Sequence, residues 1–378
     1  MPGDYIPFNR PLFLEQGIAH IRKAFQNGHV SGDGEFTRLC EGFLKSHLGA
    51  GKALLTTSCT DALEMCALLL DIGPGDEVIV PSFTFVSTAN AFVLRGARPV
   101  FVDVRPDTLN IDEERLALAI TPRTKAIIVV HYAGVGCEMD AILALASRHG
   151  IPVVEDNAHG LFGRYKGKAL GTFGALATLS FHETKNLSCG EGGALLINDP
   201  KYEARAEVLR EKGTDRSRFF RGEIDKYSWK DVGSSFLPSD ILAALLWAQI
   251  ESHAEIQARR RAIYVRYADG LGEWARTLGT SVPTIPTHCE SSYHMFYLVL
   301  PKPEIQEALI AHLKARGIGA VFHYQPLHLT PMGRRLGGSP GRCTNSESAA
   351  SRIVRFPFYF DLSTSAQDQV IAASRLFG

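Results

Sequence analysis

Apolar residues in the first fifty positions recur at helical spacing, first Ile18, Ile21 and Phe25, then Phe36, Leu39, Phe43 and Leu44, and predict two amphipathic helices. Between them, His29-Val30-Ser31-Gly32-Asp33-Gly34 is a turn. Its glycines either serve the packing of those helices or let backbone approach a ligand. From residue 52 the period changes. Short β-prone runs at 53–55, 78–80, 99–102, 126–130 and 153–154 alternate with helical patterns at 61–70, 87–94 and 139–147. Strands separated by helices need crossover connections, so the expected fold is α/β, with a mostly parallel sheet covered by helices on both faces.

Residues 160–176 are glycine-rich and turn-like. Two further β-prone runs, 177–181 and 193–197, flank a turn that carries Lys185. A helix is expected over 201–213, ending at glycine, followed by a basic and aromatic loop at 214–230 without clean periodicity. Helical spacing resumes at 240 and runs as one long helix to about 271. Beyond it, strand-like 297–300 and 320–322 and helices at 304–316 and 366–376 suggest a small α+β domain. The expected division is a large domain over 1–250 and a small C-terminal one over 251–378.

Composition narrows the function classes. Forty Lys+Arg balance forty Asp+Glu, so no overall field draws the chain to nucleic acid or to an anionic membrane. The seven cysteines are scattered, without a CxxC pair or zinc-like spacing, which suits a reducing compartment. The N-terminus has no signal-peptide pattern and no segment is apolar enough to span a bilayer, so a cytoplasmic protein is expected. His323 and His328 are five apart with no acid or cysteine joining them, so no metal site is expected there.

Parallel sheets place ligands beyond the carboxyl ends of their strands. The first strand is followed by Thr56-Thr57-Ser58-Cys59-Thr60-Asp61, a hydroxyl-rich helix start that either caps the helix or holds an anion. Phe85 follows the second strand and Glu155-Asp156 the fifth run. Two acids at a strand end are costly to bury unless one at least meets a cation or donor. A lone lysine in a turn is ordinarily solvated. Lys185, however, has Asp156, Phe85 and the helix start for company. Pyridoxal phosphate needs such a set: an amine for its aldehyde, a carboxylate for its ring nitrogen and a helix N-terminus for its phosphate. No GxGxxG follows the first strand, which argues against a nicotinamide dehydrogenase.

Over nearly its whole length the chain resembles the DegT/DnrJ/EryC1/StrS sugar aminotransferases. The likeness rests on Pro81-Ser82-Phe83-Thr84-Phe85, Glu155-Asp156, Ser180-Phe181-His182, Lys185-Asn186, Gly190-Glu191-Gly192-Gly193 and His323-Tyr324-x-Pro326-Leu327-His328. More narrowly, Ser58-Cys59-Thr60, the run from Ser180 to Asn186 and Asp231-Val232-Gly233-Ser234-Ser235 resemble the members that aminate dTDP-4-keto-6-deoxy-D-glucose in the enterobacterial common antigen pathway. The resemblance implies fold type I, pyridoxal 5'-phosphate as cofactor, glutamate and a nucleotide sugar as substrates, and a homodimer with a shared active site.

It also implies roles. Lys185 would bind the cofactor's aldehyde and later carry the proton; Asp156 would hold the pyridinium, Phe85 stack on the ring and His159 meet the phenolic oxygen. Ser58, Cys59, Thr60 and Ser180 would hold the phosphate, aided by Ser235 from the second subunit. Many relatives have Gly in place of Cys59 and Asn in place of Ser235. Arg218, Arg221, Lys226, Tyr227, His323 and His328 are candidates for substrate binding. Family members that dehydrate sugars carry His where Lys185 stands, and a regulatory protein on this fold would be expected to lose Lys185 or Asp156.

Overall fold

The structure is a computed structural model that describes residues 5–377. Helices α1 (Glu15–Gln26) and α2 (Glu35–Leu48) form where the apolar spacing predicts them. No local side chain caps α2. Asp240 does so from afar, accepting from the Phe36 N–H (3.3 Å) and from the Thr37 N–H and hydroxyl (both 2.8 Å). Gly34 leaves room for that carboxylate, since a Cβ there would lie 2.2 Å from it. Gly32 is packed as closely against Leu237. Both glycines thus serve close packing.

Strand and helix then alternate through β1 (Lys52–Thr56), α3 (Cys59–Leu69), β2 (Glu77–Pro81), α4 (Ser87–Val93) and β3 (Arg98–Val102). They continue with α5 (Glu113–Ala119), β4 (Thr124–Val130), α6 (Met139–Arg148) and β5 (Val153–Asp156). The glycine-rich stretch contains a short hairpin, β6 (Arg164–Tyr165) and β7 (Lys168–Ala169), before β8 (Leu176–Ser180) and β9 (Gly193–Ile197).

Seven strands make one sheet in the order β1-β9-β8-β5-β4-β2-β3. β9 runs against both neighbours and every other pairing is parallel, so the remaining strands all end on one side. Side chains alternate between two buried layers. Ala126, Ile128 and Val154 pack among residues of α3 and α4, whereas Ile127, Val129 and Val153 pack with α6.

Three expectations need correcting. The helix over 201–213 is shorter: α7 (Glu203–Arg210) stops where Glu211 leaves helical geometry to bridge Ser235. The loop at 214–230 includes a five-residue helix, α8 (Arg216–Phe220). The long helix is two, α9 (Asp240–Glu251) and α10 (His253–Thr277), separated at Ser252, where the His253 ring bonds the Ile250 carbonyl at 2.7 Å.

The C-terminal part adds β10 (Cys289–Glu290), β11 (Tyr297–Val299), α11 (Pro303–Lys314), α12 (Pro331–Arg335), α13 (Thr344–Ala350), β12 (Ile353–Arg355) and α14 (Thr364–Arg375). β11 pairs with β12. The 320–322 run contributes only a bridge from Val321 to Arg355, because the chain leaves at once to bring His323 to the Tyr132 hydroxyl (2.9 Å). A separate core gathers Tyr267 and Leu271 of α10 with Phe296, Leu309, Val370 and Ile6. His328 bonds the Ser82 hydroxyl at 2.5 Å and Glu347 at 3.0 Å, tying the end of β2 to α13.

Gly193 opens β9 directly beneath the start of α3, where a Cβ would lie 2.4 Å from the Cys59 nitrogen. Gly193→Ala should therefore lower stability by about 1–3 kcal/mol through overpacking. Urea unfolding measures this, and an unchanged midpoint would show that α3 yields freely.

Candidate active site

Asp156 is 5 % exposed at the end of β5. Its Oδ2 accepts from the Thr88 hydroxyl at 2.7 Å and its Oδ1 from the Ala158 N–H at 3.2 Å. Thr88 is held in turn by Thr84 at 2.9 Å. Burial raises the Asp156 pKa; Thr88, the Ala158 N–H and the nearby charge of Lys185 pull it back. Its neighbour Glu155 has a different task. It is fully buried and accepts from His131 (2.8 Å) and from the N–H groups of Gly171 (2.8 Å), Phe173 and Gly174 (both 2.7 Å), which fixes the hairpin side of the sheet.

Lys185 stands in the turn between β8 and β9. That turn is closed by Phe181 N–H to the Gly192 carbonyl (2.8 Å), Glu183 N–H to Gly190 (2.9 Å) and Lys185 N–H to His182 (2.9 Å). His182 and Thr184 bond each other at 3.0 Å. His182, Glu183 and Thr184 therefore shape the turn that presents the lysine. Asn186 anchors it further, donating to the Ser292 carbonyl at 2.7 Å and meeting His294 at 2.9 Å. Burial lowers the Lys185 pKa to about 8; the charge of Arg355 acts in the same sense, while Cys59 and Asp156 oppose it.

Ser58 caps α3 by accepting from the Asp61 N–H at 3.0 Å, so capping occurs as well. The Cys59 and Thr60 N–H groups find no acceptor among the described residues, which leaves the helix N-terminus open to an anion. The Thr60 hydroxyl bonds Ser87 at 2.8 Å. The Cys59 thiol turns inward to Thr178 at 3.4 Å and burial pushes its pKa up, so it stays a neutral thiol. Ser180, nearly buried, closes β8 opposite Gly193.

His159 is buried and stacks on His294 with ring centroids 4.3 Å apart. Burial drives the pKa of His159, His294 and His323 well below the usual histidine value, so all three are neutral. Phe85 is 56 % exposed, with its ring 6.3 Å from that of Tyr324.

Arg218 pairs with Glu223, and Arg221 with Glu207 and Glu223. Tyr227 packs on Phe219, and Lys226 is exposed on the same segment. Ser235 and Arg221 line a cleft of about 750 Å³ with Arg38, Glu41 and Arg210. His328 has both ring nitrogens occupied and offers none to a ligand. Sequence reading missed Thr88, Thr178, Tyr132, His294 and Arg355; of these Thr88, three residues after Phe85, and Thr178, two before Ser180, stood beside a recognised motif.

The donor set fits pyridoxal phosphate: open N–H groups at α3 for the phosphate, a buried carboxylate for the ring nitrogen and a lysine whose amine is readily freed of its proton. Comparison with known proteins decides the matter. Residues 13–375 match the model of the DegT/DnrJ/EryC1/StrS aminotransferase family. The chain belongs to that family. This sugar aminotransferase is 33% identical over 379 residues to the spore coat polysaccharide biosynthesis protein SpsC of Bacillus subtilis (strain 168), covering 98% of this chain and 96% of that one. Its fold matches the aminotransferase TlmJ from Streptoalloteichus hindustanus at a TM-score of 0.90, with 34% identity and 98% of each chain covered. The PLP-form of the putative sugar aminotransferase Spr1654 from Streptococcus pneumoniae matches at 0.91, with 26% identity and coverage of 99% and 98%. The fold is thus type I of the pyridoxal phosphate enzymes, and pyridoxal phosphate is the cofactor. No described helix is long and apolar enough to cross a membrane.

In cofactor-free aminotransferase the free-amine fraction of Lys185 should rise about tenfold per pH unit and level near pH 8. Uptake of pyridoxal phosphate, followed by absorbance, should flatten there; a rise continuing toward the ordinary lysine value would disprove the depression. Because the unfolded chain keeps a proton that the native lysine has lost, the cofactor-free fold should also gain stability as pH rises from about 8 to 10.5.

Proposed function

We propose that the enzyme moves an amino group from L-glutamate to C4 of dTDP-4-keto-6-deoxy-D-glucose. The products are dTDP-4-amino-4,6-dideoxy-D-galactose, destined for a cell-surface polysaccharide, and 2-oxoglutarate. It works as a homodimer in the cytoplasm, with Ser235 of each chain serving the partner's site. The observation that carries transamination is Lys185 and Asp156 at neighbouring strand ends, below an open α3 N-terminus. The sugar rests on the likeness of the run from Ser180 to Asn186 and of 231–235 to enzymes of that specificity.

When bound, pyridoxal phosphate supplies an electron sink that lets amine and carbonyl exchange at one carbon. The chain does the rest. The α3 N–H groups and Ser180 would hold the phosphate, and Asp156, its orientation fixed by Thr88, would hold the proton on the ring nitrogen. Lys185 Nζ, its pKa lowered to about 8, would be the group that takes and returns the proton at the substrate carbon. The neutral His159 and His294 pack beside it without adding a competing charge.

The similarity to SpsC supports a second acceptor, another keto sugar of a surface polysaccharide. Incubation with glutamate and a panel of nucleotide keto sugars, with the product read by mass spectrometry and proton NMR, separates the two. The expected product carries an axial C4 amine on the dTDP-linked 6-deoxy sugar. Amination of a different sugar alone would overturn the assignment. Lys185→Ala should lose the visible cofactor band and slow transfer by at least about 10²–10⁴-fold; full turnover would refute its role.

A further inference from the structure

The bonds that close the lysine turn are internal to it. From outside, Asn9 reaches the Glu183 carbonyl at 3.4 Å and Gln249 of α9 holds the Ser188 N–H at 2.8 Å. The residue next to the lysine is held differently. Asn186 is 7 % exposed, and both ends of its amide grip one segment, 106 and 108 positions later. Nδ2 donates to the Ser292 carbonyl at 2.7 Å. A carbonyl only accepts, so the amide has one orientation and Oδ1 is the atom that meets His294 Nδ1 at 2.9 Å. Oδ1 only accepts in turn, so the proton of this neutral ring is on Nδ1.

The gripped segment is fixed from several elements. Ser292 donates its N–H to the Gly134 carbonyl at 3.0 Å and its hydroxyl to the His159 carbonyl at 2.5 Å. Gly134 is required for this approach, since a Cβ there would lie 1.8 Å from the Ser292 hydroxyl. From α10, Gln257 donates to the Ser292 carbonyl at 2.9 Å, and Arg260 to the carbonyls of Tyr293 (3.1 Å) and His294 (2.6 Å). Tyr293 has φ +51°, a left-handed backbone that an aromatic residue keeps only where its surroundings over-determine it. Strain of this kind clusters at functional sites.

His294 therefore joins three things. Its backbone belongs to this rigid segment, its ring lies on His159 with planes 16° apart, and its Nδ1–H reaches the residue that follows Lys185. We propose that His294, acting through Asn186, is a positioning residue for Lys185, setting where the lysine turn stands against the reacting carbon. The proposal rests on Lys185 as the reacting amine and adds what fixes its place.

The test compares His294→Leu, which removes the donor, with His294→Asn, whose amide keeps one close to the place of Nδ1. In the holoenzyme the glutamate half-reaction is followed by the cofactor's absorbance. At saturation it should slow about 10- to 100-fold in His294→Leu, the scale of a misplacement by about 1 Å. Half-saturating glutamate should stay within about two-fold, and His294→Asn should recover most of the rate. Asn186→Ala should show the same loss, and the double variant with His294→Leu no more than either alone, as for residues that act as one unit. In cofactor-free enzyme the pH midpoint of pyridoxal phosphate uptake should rise above the wild-type value in His294→Leu. Burial keeps the amine neutral, and a released turn lets it meet water. On the wild-type holoenzyme, nitrogen-15 NMR with labelled histidine should find the His294 proton on Nδ1, its resonance being the one that Asn186→Ala displaces.

A wild-type rate and midpoint in His294→Leu, losses that add in the double variant, no recovery in His294→Asn, or a proton on Nε2 would each overturn the proposal and leave transamination intact. Should His294→Leu not fold, the NMR measurement decides. Full turnover by Lys185→Ala would instead overturn the role of the lysine itself.

Discussion

A carboxylate buried at the end of a parallel strand is the constraint around which this protein is arranged. Asp156 cannot shed its charge into water, so the fold supplies donors: the Thr88 hydroxyl from α4, the Ala158 N–H from the next turn and the positive charge of Lys185 from two strands' length away in the chain. The same burial acts on the lysine in the opposite sense, favouring its neutral amine. Desolvation thus shifts the two groups in opposite directions, the acid up and the amine down, and narrows the gap between their proton affinities. The charge-neutral histidines around them keep that balance from being swamped.

The backbone of this arrangement was largely legible. Strand runs separated by helical spacing defined the crossovers, and the rule that ligands gather beyond strand ends brought Asp156, Lys185 and the α3 start into one frame before any coordinates. What escaped had physical reasons. The break at Ser252 leaves no trace in the apolar period, because α9 and α10 each bury a continuous stripe and no Gly or Pro stands between them. Helix α5, with seven residues, is too short to show periodicity although Asp112 caps it. Gly32 and Gly34 could be recognised as special but not explained, since Leu237 and Asp240, which demand them, are two hundred positions away.

The site divides in the same manner. Residues within motifs were readable; those that approach from other elements were not. Thr178 and His294 are ordinary residues in sequence and acquire meaning only through Cys59 and Asn186. Arg355 shows the limit most clearly, since its place over the Phe8 ring joins residues from opposite parts of the sequence. His328 shows the converse: it lies in a motif, yet it serves as a strut between Ser82 and Glu347.

The reversed strand β9 also bears on how the chain folds. It joins β1 to β8, setting Thr56 opposite Gly193, 137 positions later (193 − 56). The start of α3 and the turn that carries the lysine therefore cannot meet until that long loop has closed. Such distant pairings are slow to form, because chain entropy is lost before any contact rewards it. A nascent chain still short of β9 has strands and helices but lacks the strand that joins the α3 side of the sheet to the lysine turn.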